Sequence, residues 1–100
     1  MISVIYDRSV PSIRLTGHAN SAPYGQDLVC ASCSALIYGL YAAVRKEARG
    51  PYIAKIEKGK AEISCERANK RVRAIFDGYS EGFKVISRSE NKFVSYEEKN

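Results

Sequence analysis

The stretch Leu28-Val29-Cys30-Ala31-Ser32-Cys33-Ser34-Ala35-Leu36-Ile37-Tyr38-Gly39-Leu40-Tyr41-Ala42-Ala43-Val44 decides the fold. Wound as a helix, it places Val29, Cys33, Leu36, Ile37, Leu40 and Val44 in one sector roughly 100° wide. A stripe of that width belongs to a helix with one face on a core, and it predicts a helix from Leu28 to about Ala48. Asp27 stands where an N-cap belongs, which would make Cys30 the third helical residue. Arg45, Lys46 and Arg49 suit the C-terminal end of the helix dipole, and Gly50-Pro51 stops the helix.

Upstream, Ile2-Ser3-Val4-Ile5-Tyr6 and Ile13-Arg14-Leu15-Thr16-Gly17 alternate as strands, with Asp7 to Ser12 as their turn. Residues 18–27 contain Asn20, Ser21, Pro23 and Gly25, show no periodicity, and are expected to form a mobile loop bracketed by Gly17 and Gly25. Downstream, Tyr52 to Ile56 and Ala61 to Cys65 form a hairpin about Lys58-Gly59. A second helix is expected over roughly residues 67–86. Val72, Ile75, Phe76, Tyr79, Phe83 and Ile86 recur on one side of it, while Arg67, Lys70, Arg71 and Arg73 take the other. Gly78 and Gly82 weaken the pattern, and an end before Phe83 is the alternative. Phe93 to Tyr96 supplies a last strand. The order ββαββαβ is that of a two-layer α+β domain spanning residues 1–100, a small mixed or antiparallel sheet covered by two helices.

Composition narrows the function. With 45% hydrophobic and 27% charged residues, the chain has the balance of a soluble globular domain. No unbroken apolar run reaches membrane length, and the N-terminus lacks a signal-peptide pattern, so a cytoplasmic protein is expected. Three cysteines are too few and odd in number for a disulfide framework, and reduced thiols are expected. The net charge of +5 lies entirely in residues 45–100, where the signs are mixed, so a solvated surface is the simpler reading. No cofactor is called for, and direct contact with nucleic acid is not expected.

Among the residues able to carry chemistry, Cys30 lies at the margin of the apolar stripe beside Ser34 and Tyr41. A thiol near a helix start has its anion favoured by the helix field. His18, the only histidine, follows a strand twelve residues earlier and is the only imidazole able to act on that thiol. Cys33 sits mid-stripe and Cys65 shares the parity of Ala61 and Ile63, so both read as core. Cys30-Ala31-Ser32-Cys33 also spells a redox pair, and His18 with the three cysteines a zinc set, but the flanks and spacing fit neither well. Asp27 is most simply a cap, with orientation of His18 as a second role. Ser34, one turn after Cys30, can hydrogen-bond near the sulfur or back to its own helix.

Gly17-His18-Ala19, Gly25, Asp27, Val29-Cys30-Ala31 and Ser34, continued by Ala35-Leu36, resemble the signature of the ribosomal-processing cysteine proteases called Prp. The resemblance covers some twenty residues and is specific in spacing. It implies a His/Cys dyad, with Cys30 as nucleophile and His18 as general base, and backbone N–H donors at the helix start for the oxyanion. It further implies a homodimer and a substrate loop containing Ala19, Tyr24 and Gly25. The implied substrate is the N-terminal extension of bacterial large-subunit ribosomal protein twenty-seven, cut after an apolar, aromatic-containing stretch. Two features depart from the family: Cys33 replaces a small or aliphatic residue, and the charge is basic where members are often acidic. The reading from another class is a non-catalytic, ribosome-associated basic binding module with Cys30 as packing.

Overall fold

The alternation seen in the short apolar segments becomes a five-stranded sheet in a computed structural model. The structure describes residues 1–17 and 24–100, except for the side chains of residues 24–27. The elements are β1 (Ile2–Asp7), β2 (Ser12–Thr16), α1 (Tyr24–Glu47), β3 (Ile53–Glu57), β4 (Lys60–Ser64), α2 (Lys70–Ser89) and β5 (Val94–Lys99). Across the sheet the order is β3-β4-β2-β1-β5. β1 pairs antiparallel with β2, β2 with β4 and β4 with β3, whereas β5 runs parallel to β1. The expected order ββαββαβ and the α+β class hold, with a mixed sheet.

Period-two alternation sends Ile2, Val4, Tyr6, Ile13, Leu15, Ala61, Ile63 and Val94 to one face, where they are buried. Both helices cover that face. α1 contributes Val29, Cys33, Ile37, Leu40 and Val44, and α2 contributes Val72, Phe76 and Phe83. Each large side chain so buried stabilises the fold by about 1.5–3 kcal/mol. The opposite face carries the other parity, including Arg14 paired with Glu62 at 3.2 Å. Tyr6 stacks on Phe76 and donates its hydroxyl proton to Asp77 Oδ1 at 2.6 Å, tying β1 to α2.

Three expectations need correction. First, α1 begins at Tyr24, so Asp27 lies inside the helix rather than capping it, and Tyr24 and Gly25 belong to helical backbone rather than to a loop. Second, α2 starts three residues later than expected and runs through Gly78 and Gly82 to Ser89. Asn69 caps it, its side-chain oxygen accepting from the Val72 N–H at 2.9 Å. The glycine cost, about 1 kcal/mol each, is smaller than the gain from burying Phe83 together with its neighbours. Third, the segment Leu28–Glu47 reaches a mean hydropathy of 1.5 and is long and apolar enough to cross a membrane by composition, a property that a search for unbroken apolar runs missed. Its buried stripe lies on the sheet and on α2, as in the core helix of a globular domain.

Candidate active site

The backbone leaving β2 is sharply constrained. Gly17 has φ +99°, and a Cβ there would collide with the Met1 carbonyl oxygen. Its N–H donates to the Gly59 carbonyl at 2.9 Å. Gly59, at the β3–β4 turn, also has positive φ, at 79°. Two glycines in the left-handed region therefore clip the end of β2 to the hairpin tip. Gly17, counted with Asp27 and Ser34 among the residues expected to support the site, is thus held at the end of β2 by its own conformation and by Gly59. His18 and Ala19 themselves lie outside the described residues, as do the side chains of Tyr24 and Asp27, while Gly25 is described as helical backbone.

Beside this clip a groove of about 430 Å³ opens between α1 and the hairpin. One wall is a single face of α1, Cys30, Cys33, Ser34, Ile37 and Tyr38, recurring at three- and four-residue steps. The floor and the other wall bring Ile2, Leu15, Ile56 and Ala61, with Glu57, Lys58 and Lys60 at the hairpin. Apolar side chains dominate, and few charges stand at the rim. Cys30 and Ser34 thus share one cavity, as the sequence spacing predicts; Asp27 is not described there.

The three thiols have different fates. Cys30 is half-buried and free, open to the groove. Cys33 is only 2% exposed. Burial first, and the neighbouring Cys30 second, push its thiol up to about 11, so it stays protonated at neutral pH. Cys65 is buried at the other end of β4, its N–H donating to the Pro11 carbonyl at 3.0 Å and its Sγ lying 3.8 Å from the Pro51 carbonyl. Burial also raises its pKa. Cys65 and Ala61 are four residues apart on an extended strand, about 13 Å. That separation takes Cys65 away from the groove and removes it from any shared metal set with Cys30. Cys30 and Cys33 both border the groove, and of the three thiols only Cys30 is also open to solvent.

The earlier start of α1 changes the electrostatics around Cys30. It is the seventh helical residue rather than the third. The helix field falls off within the first turn, and N–H groups beyond the fourth are engaged four residues back. The expected help from the helix dipole, and the expected oxyanion donors at a helix start, are therefore weaker than the sequence pattern implied. Sequence reasoning missed the hairpin residues Ile56 to Ala61 as groove wall. Their only signal was the Lys58-Gly59 turn, which says nothing of what the turn lies against.

The small α+β scaffold thus carries a half-exposed thiol on the wall of an apolar groove. A family model describing cysteine protease Prp matches residues 1–95, and the chain belongs to that family, a family of hydrolases. The ribosomal processing cysteine protease Prp of Bacillus subtilis (strain 168) is 49% identical over 39 residues, which are 39% of this chain and 35% of that protein. The match therefore spans about a third of that relative's length. Among solved structures, the essential ribosomal processing protease Prp of Staphylococcus aureus, with a covalently linked product peptide, superposes with a TM-score of 0.82. The identity is 23%, over 99% of this chain and 100% of that one. The same protease with a substrate peptide gives 0.84 at 22% identity, over 99% and 100%. A protein from Streptococcus mutans gives 0.79 at 24%, over 98% and 91%. At these identities the structures establish a common fold.

Proposed function

We propose that this chain is an endopeptidase that removes the N-terminal extension of bacterial large-subunit ribosomal protein twenty-seven, using a dyad of Cys30 and His18. The observation that carries the reading is that Cys30 is the one half-exposed thiol of the three and stands on an apolar groove, in a chain of the Prp family. Cys30 Sγ attacks the scissile carbonyl carbon as thiolate, its proton passing to the His18 imidazole. The tetrahedral adduct collapses as the imidazolium protonates the departing amine, leaving a thioester. Water, deprotonated by His18, then releases the acyl group and restores the thiol. Leu15, Ile37, Ile56 and Tyr38 give the groove the character that an apolar, aromatic-containing segment before the cut needs. A basic substrate meets Lys58 and Lys60 at the rim, so selection rests on apolar contact rather than charge. The protein works in the cytoplasm as a homodimer.

Incubation with a peptide spanning the extension tests the reading. Wild-type protein is expected to cut it once, and Cys30→Ala or His18→Ala to lower kcat by at least about 10³-fold. Cleavage at wild-type rate by both variants would remove the proposal. Sedimentation equilibrium reports the dimer.

A further inference from the structure

The chain carries an excess of five positive charges, and folding concentrates them. Arg45 and Lys46 stand in the last turn of α1, and Arg49 lies just beyond it. Asn69 Nδ2 donates to the Glu47 carbonyl at 3.2 Å, and Arg71 Nη1 to Glu47 Oε1 at 2.9 Å. These bonds hold the start of α2 against the end of α1. Arg67, Lys70, Arg71 and Arg73 are thereby brought to the same end of the helix layer as Arg45, Lys46 and Arg49. All seven are exposed. Glu47 and Glu66 are the only acidic residues in segments 45–49 and 66–73. The rest of the chain holds nine basic and nine acidic residues, so the whole net charge resides at this end. Along the sequence the signs look mixed because the two segments are some twenty residues apart.

We propose that this end of the molecule is a docking surface for the phosphate backbone of a double-helical nucleic acid. Like charges crowded together oppose the folded state unless a polyanion offsets them. Five of the seven are arginines, whose planar forks match phosphate oxygens two at a time. Among the described residues the exposed aromatic side chain is Tyr38, on the groove wall, and the exposed aliphatic side chains bordering this end are Val10, next to Pro11 whose carbonyl accepts from the Cys65 N–H, and Ile53, paired with Ser64. Two separate aliphatic side chains are too little to seat in a lipid bilayer, and segments 45–49 and 66–73 hold no aromatic ring on which unpaired bases would stack. Charge and shape remain, and these suit a duplex read without regard to sequence. Cys30 lies fifteen residues before Arg45 on the same helix, about 22 Å along its axis, so a bound duplex leaves the groove free.

Fluorescence anisotropy tests the surface with four probes: a 20-base-pair RNA duplex, the matching DNA duplex, single-stranded polyuridine, and vesicles containing phosphatidylserine. Raising salt from 50 to 200 mM is expected to weaken duplex binding about 10²–10³-fold, the response of four or five neutralised phosphates. The triple variant Arg49→Gln, Arg67→Gln, Lys70→Gln should lower affinity by at least about tenfold and flatten the salt slope by about three. Glu66→Gln should bind more tightly. Arg88→Gln with Lys92→Gln, in the last turn of α2 and just past it, should change neither the affinity nor the slope by a comparable amount. Stronger binding of one duplex identifies RNA or DNA as the partner, and both support the surface. Salt-independent binding, an equal loss in the Arg88/Lys92 variant, tighter binding of polyuridine than of duplexes, or capture by vesicles alone would overturn it. Peptide cleavage by the triple variant should match wild type, which separates this outcome from the fate of the protease reading.

Discussion

At the scale of single residues, three sulfurs of identical chemistry are sorted by where the fold leaves them. Cys30 meets the groove half-exposed, Cys33 is buried at the groove's core side three residues later, and Cys65 closes the far end of a strand. At pH 7.5 a thiol raised to about 11 holds a thiolate fraction below about 10⁻³. Iodoacetamide at that pH, followed by peptide mapping, is expected to alkylate Cys30 at least about tenfold faster than Cys33 or Cys65. Comparable rates at all three would contradict the sorting. Tyr38 is 57% exposed on the groove wall. Replacing it with alanine should raise KM several-fold for an apolar peptide while changing stability by less than about 0.5 kcal/mol. An unchanged KM would remove Tyr38 from the binding surface.

Between elements, two glycines with the same sequence character have opposite roles. A Cβ on Gly39 would lie 2.7 Å from the Tyr79 hydroxyl and 3.0 Å from its ring, so α1 and α2 approach closely because that atom is missing. A Cβ on Gly78 meets nothing within 4 Å. Gly39→Ala should therefore destabilise by about 1–3 kcal/mol, and Gly78→Ala should stabilise by about 0.5–1 kcal/mol, both read from urea unfolding midpoints. The same contrast explains what the sequence could and could not disclose. Strand alternation and the stripe from Val29 to Val44 were legible because burial follows local periodicity. The passage of α2 through Gly78 and Gly82 was not, because Phe83 finds its place only in a core assembled from distant segments. The start of α1 was misplaced because Asp27 carries a good capping side chain, and that local preference lost to helix continuing back to Tyr24. The two thiols of the Cys30–Cys33 motif were separable by wheel position alone. The hairpin that forms the opposite groove wall was not, since pairing β4 with β2 is a long-range event.

For the whole molecule, buried acids set an alkaline limit. Burial lifts Cys33 to about 11, and it also lifts Tyr6, with its hydrogen bond to Asp77 as the second cause. Tyr96 is pushed up to about 12 by burial and by its bond to Glu98. In each case the unfolded chain loses its proton first as pH rises, so the stabilisation is complete below the unfolded pKa and declines above it. Unfolding free energy from urea titrations should be level to about pH 9, then fall by about 2–3 kcal/mol by pH 11 from Cys33, with the tyrosines adding from about pH 10. Cys33→Ala should remove the first part of the decline, and an unaltered profile in that variant would contradict the assignment. The central claim concerns one bond, between Cys30 Sγ and the acyl half of a cleaved peptide. Rapid acid quench during turnover, followed by protease digestion and mass spectrometry, locates that bond. The expected result is an acyl adduct on Cys30 that disappears as product accumulates and is absent from Cys30→Ala. An adduct on Cys33 or Cys65, or steady cleavage with no adduct in a protein lacking the Cys30 thiol, would contradict the mechanism.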